Sequence, residues 1–409
     1  MNNAFAAAMS RALEQTRAGN SAEATRIIQA ALGQGSAAQG GLPLPSPAPM
    51  AARPRIEDAE LVAVRPPKAA PAAAAADGDG AATAGFRPGD LQQMLGRMGC
   101  LGPQGSVLPQ GLMAMPRTNA APALPPGARY ETRRFASALG ARDYRLFLPS
   151  GIGDGARGLI VMLHGCTQDP DDFARGTDMN SHAERAGLIV VYPHQTRAQN
   201  PQGCWNWFRP QDQGAEAGEA ALLAALTRAV AAEFAVPQDS IFAAGLSAGG
   251  AMAATLAATQ PDLFAAVGIH SGLPHGAAHD IPSAFGAMRG QGERAGPALR
   301  GTVRMIVFHG TADATVHPSN AERLVAAARP ALPGAARHER GSAGGRSYRR
   351  DVVEADDGTP LIESWRIDGA GHAWSGGRSE GSYADPAGPD ASAQMVRFFL
   401  HRQARQASV

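Results

Sequence analysis

The chain has 409 residues, a hydrophobic fraction of 44% and a formal net charge of +1, with charged residues at 18%. That length exceeds one average domain and falls short of three, and the near-neutral balance excludes long-range attraction to nucleic acid or an acidic membrane. The most apolar runs, 188–192 and 305–308, are far shorter than the roughly 20 residues a bilayer needs, so no membrane span is expected. Three cysteines, Cys100, Cys166 and Cys204, are too few for a disulfide scaffold and lack zinc-ligand spacing. On count alone they read as reduced, buried thiols, with room for one bonded pair.

In chain order, residues 4–33 read as two short amphipathic helices. Phe5, Met9 and Leu13 recur at i, i+4 and i+8, and Ala24, Ile27, Ile28 and Leu32 repeat the pattern. Gly19 separates them, and Asn20 with Glu23 forms a capping-box pattern for the second. Such a hairpin (1–34) cannot bury its apolar face alone, so it is expected to dock on the main domain or on a partner. Arg11 and Glu14 interrupt the apolar stretch before a leader's core can form, so the sequence by itself reads as cytoplasmic. Residues 35–126 are rich in Pro, Ala and Gly and are expected to be a largely disordered linker, with one short helix at 86–98.

From Gly127 onward strand and helix signals alternate. Strands are expected at 142–148, 159–163, 188–192, 240–246, 266–270, 304–309 and 361–367. Helices are expected at 180–186, 219–234, 248–259, 320–328 and 391–405. Short continuous apolar strands between amphipathic helices imply a mostly parallel central sheet covered on both faces, in a single domain over 127–409.

The strand at 240–246 runs directly into a helix through Gly245-Leu246-Ser247-Ala248-Gly249, a G-x-S-x-G pattern. So abrupt a turn crowds the backbone, and side chains two positions either side of the serine would clash, hence the glycines. The helix start behind Ser247 supplies N–H groups and partial positive charge where an oxyanion would form. After strand 159–163 comes Leu163-His164-Gly165-Cys166-Thr167-Gln168, whose His-Gly pair lets the chain swing over the nucleophile. The N–H of Cys166 is expected to join that of Ala248 in an oxyanion hole. His164 precedes the nucleophile and reads as a structural hydrogen-bonder to loop carbonyls.

In an α/β-hydrolase the acid follows the serine and precedes the histidine. Asp313, just beyond strand 304–309, meets that order. Asp262 and Asp280 follow no clear buried strand, and Asp368 lies too near the histidine loop. His309 and His317 read as local hydrogen-bonders, while His275 and His279 lack the placement of a base. His372, in Gly369-Ala370-Gly371-His372-Ala373-Trp374 after the last strand, is the expected base. Three of the chain's four tryptophans, Trp205, Trp207 and Trp374, fall close to these motifs. They are expected to line an apolar cleft for the substrate, with plain core packing the alternative for Trp205 and Trp207.

Taken together, His164–Gln168, Cys204-Trp205-Asn206-Trp207-Phe208, Gly245–Gly250 and Gly371-His372-Ala373-Trp374-Ser375-Gly376-Gly377 resemble the poly(3-hydroxybutyrate) depolymerase family of esterases. The likeness covers roughly residues 130–400. It implies an α/β-hydrolase fold and hydrolysis of carboxylic esters of short hydroxyacids through Ser247, Asp313 and His372, with no metal and no organic cofactor. Feruloyl and acetylxylan esterases resemble the same family, so the acyl group stays open. The family's extracellular members carry a leader and a C-terminal polymer-binding module. Neither pattern is read here, which points to soluble oligomers or small esters. Cys166 and Cys204 sit in adjacent family motifs, and a disulfide between them would favour export. The reading from another class is a non-catalytic polymer-granule binding protein that keeps the hydrolase shell.

Overall fold

The computed structural model describes residues 60–63, 121–291 and 303–401, all within a compact unit spanning Ile56–Val409. The expected hairpin at 1–34, and most of the expected linker, lie outside the described residues. Within that linker span, Glu60–Ala63 forms a strand, β1.

In order there follow β2 (Arg129–Ser137), β3 (Gly140–Leu148), β4 (Gly158–Leu163), α1 (Pro170–Thr177), α2 (Met179–Ala186), β5 (Leu188–Pro193), α3 (Gly218–Glu233), β6 (Ile241–Leu246), α4 (Ala248–Thr259), β7 (Ala266–His270), α5 (Ile281–Met288), β8 (Arg304–Gly310), α6 (Ser319–Ala328), β9 (Ala335–Ala343), β10 (Arg346–Glu354), β11 (Pro360–Ile367), the short pair β12 (Trp374–Ser375) and β13 (Ala384–Asp385), and α7 (Ala391–Leu400). The main sheet runs β1-β2-β3-β5-β4-β6-β7-β8-β11-β10-β9. Its central strands β5, β4, β6, β7, β8 and β11 are parallel. The flanking strands β1, β2, β3, β10 and β9 pair antiparallel.

The central strands read as unbroken apolar runs because both their faces are covered. Every residue of β4, β5, β6 and β7 is buried, and each large aliphatic side chain so buried contributes about 1.5–3 kcal/mol. One core holds side chains of α3, α4 and α6, the other those of α1, α2 and α7. The connection from β4 leads out to β5, and β6 then returns to the opposite side of β4. The sheet order therefore reverses between β4 and β6. In open parallel sheets a crevice opens beyond the carboxyl ends of the strands at such a point. Cys166 follows β4 and Ser247 follows β6, so both stand at its rim.

Candidate active site

Ser247 is the residue between β6 and α4, with φ 59° and ψ −119°. A non-glycine residue there stores on the order of 1–3 kcal/mol of backbone strain, which the surrounding structure must overcome. The glycines two positions either side have the expected cause. A Cβ on Gly245 would lie 2.4 Å from the Gly249 carbonyl carbon, and one on Gly249 would lie 2.0 Å from the Leu163 oxygen. Neither position can carry a side chain while the turn keeps its shape. Ser247 anchors α4 by accepting the Ala251 N–H at its carbonyl, and its own N–H donates to the His270 carbonyl.

The loop after β4 passes over this turn. A Cβ on Gly165 would stand 3.7 Å from the Ser247 Cβ, so Gly165 lies against the serine. The side chain of Gln168 fixes that loop: its Oε1 accepts the Gly165 N–H at 2.8 Å and its Nε2 donates to the Ser382 carbonyl at 2.8 Å. Thr167 donates its N–H to the Gln202 carbonyl and has a positive φ of 66°. The N–H groups of Cys166 and Ala248 find no acceptor among the described residues.

Asp313 is buried, and its two oxygens have separate duties. Oδ1 accepts the N–H groups of Thr315 (2.9 Å) and Val316 (2.8 Å), while Oδ2 lies 2.8 Å from His372 Nδ1. Burial works to raise the Asp313 carboxyl. The hydrogen bond from His372 and the charges of His372 and His309 outweigh it and hold the group below the usual carboxylate range. The structure thus brings the expected acid and base together. The Ser247 hydroxyl makes no hydrogen bond among the described residues.

The remaining aspartates and histidines have other tasks. Asp280 caps α5 through the Ser283 N–H. His309 Nε2 donates to the Val316 carbonyl at 2.8 Å, and His317 Nδ1 bonds Ser319. His164 is buried, with Nδ1 2.8 Å from the Gly165 carbonyl and Nε2 accepting the Gln195 N–H at 3.1 Å.

The tryptophans require a correction. Trp205 is 0% and Trp374 1% exposed, so neither side chain faces a substrate. Trp205 donates to the His164 carbonyl at 3.0 Å, and Trp374 donates to Ser392 Oγ while packing between Phe173 and His270. Trp207 is 5% exposed and belongs to the same core as Trp205. A loop so rich in aromatics is here a support, because an apolar surface that large is held out of water wherever the chain can fold over it. The exposed aromatic beside His372 is Tyr383, 47% exposed, with its ring 6.4 Å from the imidazole and its hydroxyl 3.5 Å from Thr167 Oγ1. Its surrounding sequence, Gly381-Ser382-Tyr383, carries no periodic signal that would have singled it out.

Two further supports brace the site: a bond that replaces the reduced thiols read from the cysteine count, and a histidine that the sequence did not single out. Cys166 and Cys204 are joined in a disulfide that spans 38 positions and ties the loop after β4 to the tryptophan loop. By chain entropy alone a link of that span contributes about 4 kcal/mol. Below it Glu219 accepts the N–H of Asn206 at 2.7 Å and its amide at 2.9 Å, bonds Gln195 and lies 3.6 Å from Arg142. Burial pushes the Glu219 carboxyl up, and the Asn206 bond and Arg142 charge pull against it.

His270 is the second support. It is buried, and its Nε2 accepts the Ser375 N–H at 3.0 Å, which pins the loop that carries His372. Burial lowers the pKa of His164 to about 4 and that of His270 to about 3. Both folded values lie below the unfolded value near 6.5, so the unfolded chain binds the extra protons. The stability of the neutral rings is full above pH 6.5 and falls by about 1.4 kcal/mol per pH unit per histidine as pH drops toward 4 and 3. In urea titrations between pH 6.5 and 4.5, His270→Gln should therefore lose about one proton from the slope of stability against pH. Equal slopes in the two proteins would contradict this role.

Among the described residues no helix is long and apolar enough to cross a membrane. Residues 142–332 match the family model described as esterase PHB depolymerase. Poly(3-hydroxyalkanoate) depolymerase C of Paucimonas lemoignei is 31% identical over 244 residues, covering 55% of this chain and 56% of that protein. Feruloyl esterase B of Neurospora crassa is 30% identical over 178 residues, covering 39% of this chain and 60% of that one. The chain thus spans little more than half the length of these curated relatives. Among solved structures, an acetyl xylan esterase from Aspergillus awamori aligns with a TM-score of 0.47 at 19% identity, over 56% of this chain and 89% of that one. The sheet order and the turn at Ser247 are those of an α/β-hydrolase fold, and over the matched segment the chain is similar to the PHB depolymerase esterases.

Proposed function

We propose that this protein is a serine esterase that hydrolyses carboxylic esters of short hydroxyalkanoic acids and their soluble oligomers through an acyl-enzyme on Ser247. The observation that carries the reading is the 2.8 Å pairing of Asp313 with His372 Nδ1 at the sheet edge where Ser247 stands. That pairing fixes the proton on Nδ1 and leaves Nε2 free to act as a base.

In the proposed reaction the Ser247 oxygen attacks the ester carbonyl carbon as Nε2 of His372 takes the hydroxyl proton. The carbonyl oxygen gathers negative charge against the N–H groups of Cys166 and Ala248, each such donor being worth roughly 100- to 1000-fold in turnover. Collapse breaks the carbon–oxygen bond to the alcohol, which leaves with the proton from His372. Water then repeats the sequence on the acyl-enzyme, its proton passing through His372 back to Ser247, and the free acid departs. Asp313 stabilises the imidazolium at both stages. Tyr383, exposed beside His372, replaces the tryptophans as the aromatic that contacts the substrate.

The Cys166–Cys204 bond supports an oxidising compartment, since such links persist outside the cytosol. Similarity to acetylxylan and feruloyl esterases favours those esters as the second reading. A panel of p-nitrophenyl esters from acetyl to octanoyl, run beside 3-hydroxybutyrate oligomers and methyl ferulate, separates the two. The expected result is highest kcat/KM on the short acyl esters and oligomers. Preference for methyl ferulate or acetylated xylan would transfer the protein to the second reading.

A further inference from the structure

Strands β10 and β9 pair antiparallel beyond β11, the last strand of the parallel core, and these three strands hold none of the residues of the proposed chemistry. Their register sets Arg349 of β10 directly opposite Arg340 of β9 on one side and Arg366 of β11 on the other. Residues so paired share one face with Cβ atoms about 4.5–5.5 Å apart, and like charges in that relation repel. Three guanidinium groups therefore stand in one row across three strands, an arrangement that costs stability without a counter-charge.

Nearby acids relieve only part of it. Arg349 bonds Asp351 at 2.8 Å, an acid it shares with His338, and Arg366 lies 3.2 Å from Glu322 of α6. Arg340 has no ionic or hydrogen-bond partner among the described residues. The row borders a cavity of about 550 Å³ whose other walls are Thr311, Gly341, Ser347, Tyr348 and Asp368. Asp368 forms no ion pair with the arginines among the described residues, so one carboxylate faces the same space as the three cations.

We propose that this cavity binds a hydroxycarboxylate. The arginine row matches a carboxylate, which guanidinium forks take in bidentate fashion. Asp368, an acceptor only when ionised, matches a hydroxyl donor on the same molecule. A simple anion would use the first feature and be repelled by the second. The strands concerned are three to five places from β6 in the sheet, so the row lies on the order of 15–25 Å from Ser247. Occupation would leave the ester site open.

Two sources supply this chemistry. One is the hydroxy acid that the proposed ester hydrolysis releases, and only that source rests on the proposed function. The other is a uronic acid of a polysaccharide. Binding is read without turnover, by ligand-observed NMR titration of the full chain at low ionic strength with 3-hydroxybutyrate, glucuronate and acetate, so its failure is separate from any failure of the esterase reading. At least one hydroxy acid should bind more tightly than acetate. Arg340→Ala should weaken it by about ten- to a hundred-fold, the usual loss for a hydrogen bond to a charged group, and leave p-nitrophenyl butyrate hydrolysis unchanged. Tighter binding of 3-hydroxybutyrate identifies the product as the source, and tighter binding of glucuronate the polysaccharide. Binding of both no stronger than acetate, or binding unchanged in Arg340→Ala, would overturn the proposal.

Discussion

Replacing Ser247 by alanine should lower kcat/KM for p-nitrophenyl butyrate by roughly ten-thousand- to million-fold, the loss seen when a serine nucleophile is removed. The fold should survive. The hydroxyl is half-buried and has no hydrogen-bond partner among the described residues, so its removal orphans nothing. The backbone contacts that hold the turn, Ser247 N–H to the His270 carbonyl and Ala251 N–H to the Ser247 carbonyl, involve no side chain. Circular dichroism and the urea midpoint should match the parent. Retention of more than about one part in a hundred of the turnover would mean the ester is attacked by another group.

Asp313→Asn should cost about ten-thousand-fold in kcat for a different reason. Oδ1 is held by two backbone N–H groups, from Thr315 and Val316. An asparagine must keep its carbonyl oxygen there, which turns its NH2 toward His372 Nδ1. That nitrogen can then only accept, so the proton moves to Nε2, the position that has to receive the serine's proton. The geometry is preserved and the tautomer is wrong. KM and the unfolding midpoint should move little, which separates this effect from a structural one. A loss of less than tenfold in kcat would show that Asp313 is not the orienting acid.

How far the sequence spoke for the structure varied with the kind of burial involved. Strands such as β4 and β6 are covered on both faces, so Leu159–Leu163 and Ile241–Leu246 were legible as plain apolar runs, and the ends of those runs located Cys166 and Ser247. The outer strands β2, β9 and β10 were not legible. Each is half exposed and crowded with arginine, as in Arg346–Glu354, so neither an apolar run nor a clean alternation marks it. Helix α1 was missed because Asp169-Pro170-Asp171-Asp172 reads as a turn, although Asp169 caps it and Pro170 suits its first position. The tryptophans illustrate a deeper limit. An aromatic in a loop near a nucleophile is equally suited to touch a substrate or to brace the loop, and only the contacts of Trp205 with His164 and of Trp374 with His270 decide it. The arginine row likewise needs the strand register, a non-local fact.

Covalent labelling with a fluorophosphonate, followed by intact mass and peptide mapping, tests most directly whether Ser247 is an activated nucleophile. One adduct should form, on Ser247, and Ser247→Ala should take none. No adduct on the folded protein, or an adduct on a different serine, would contradict the account.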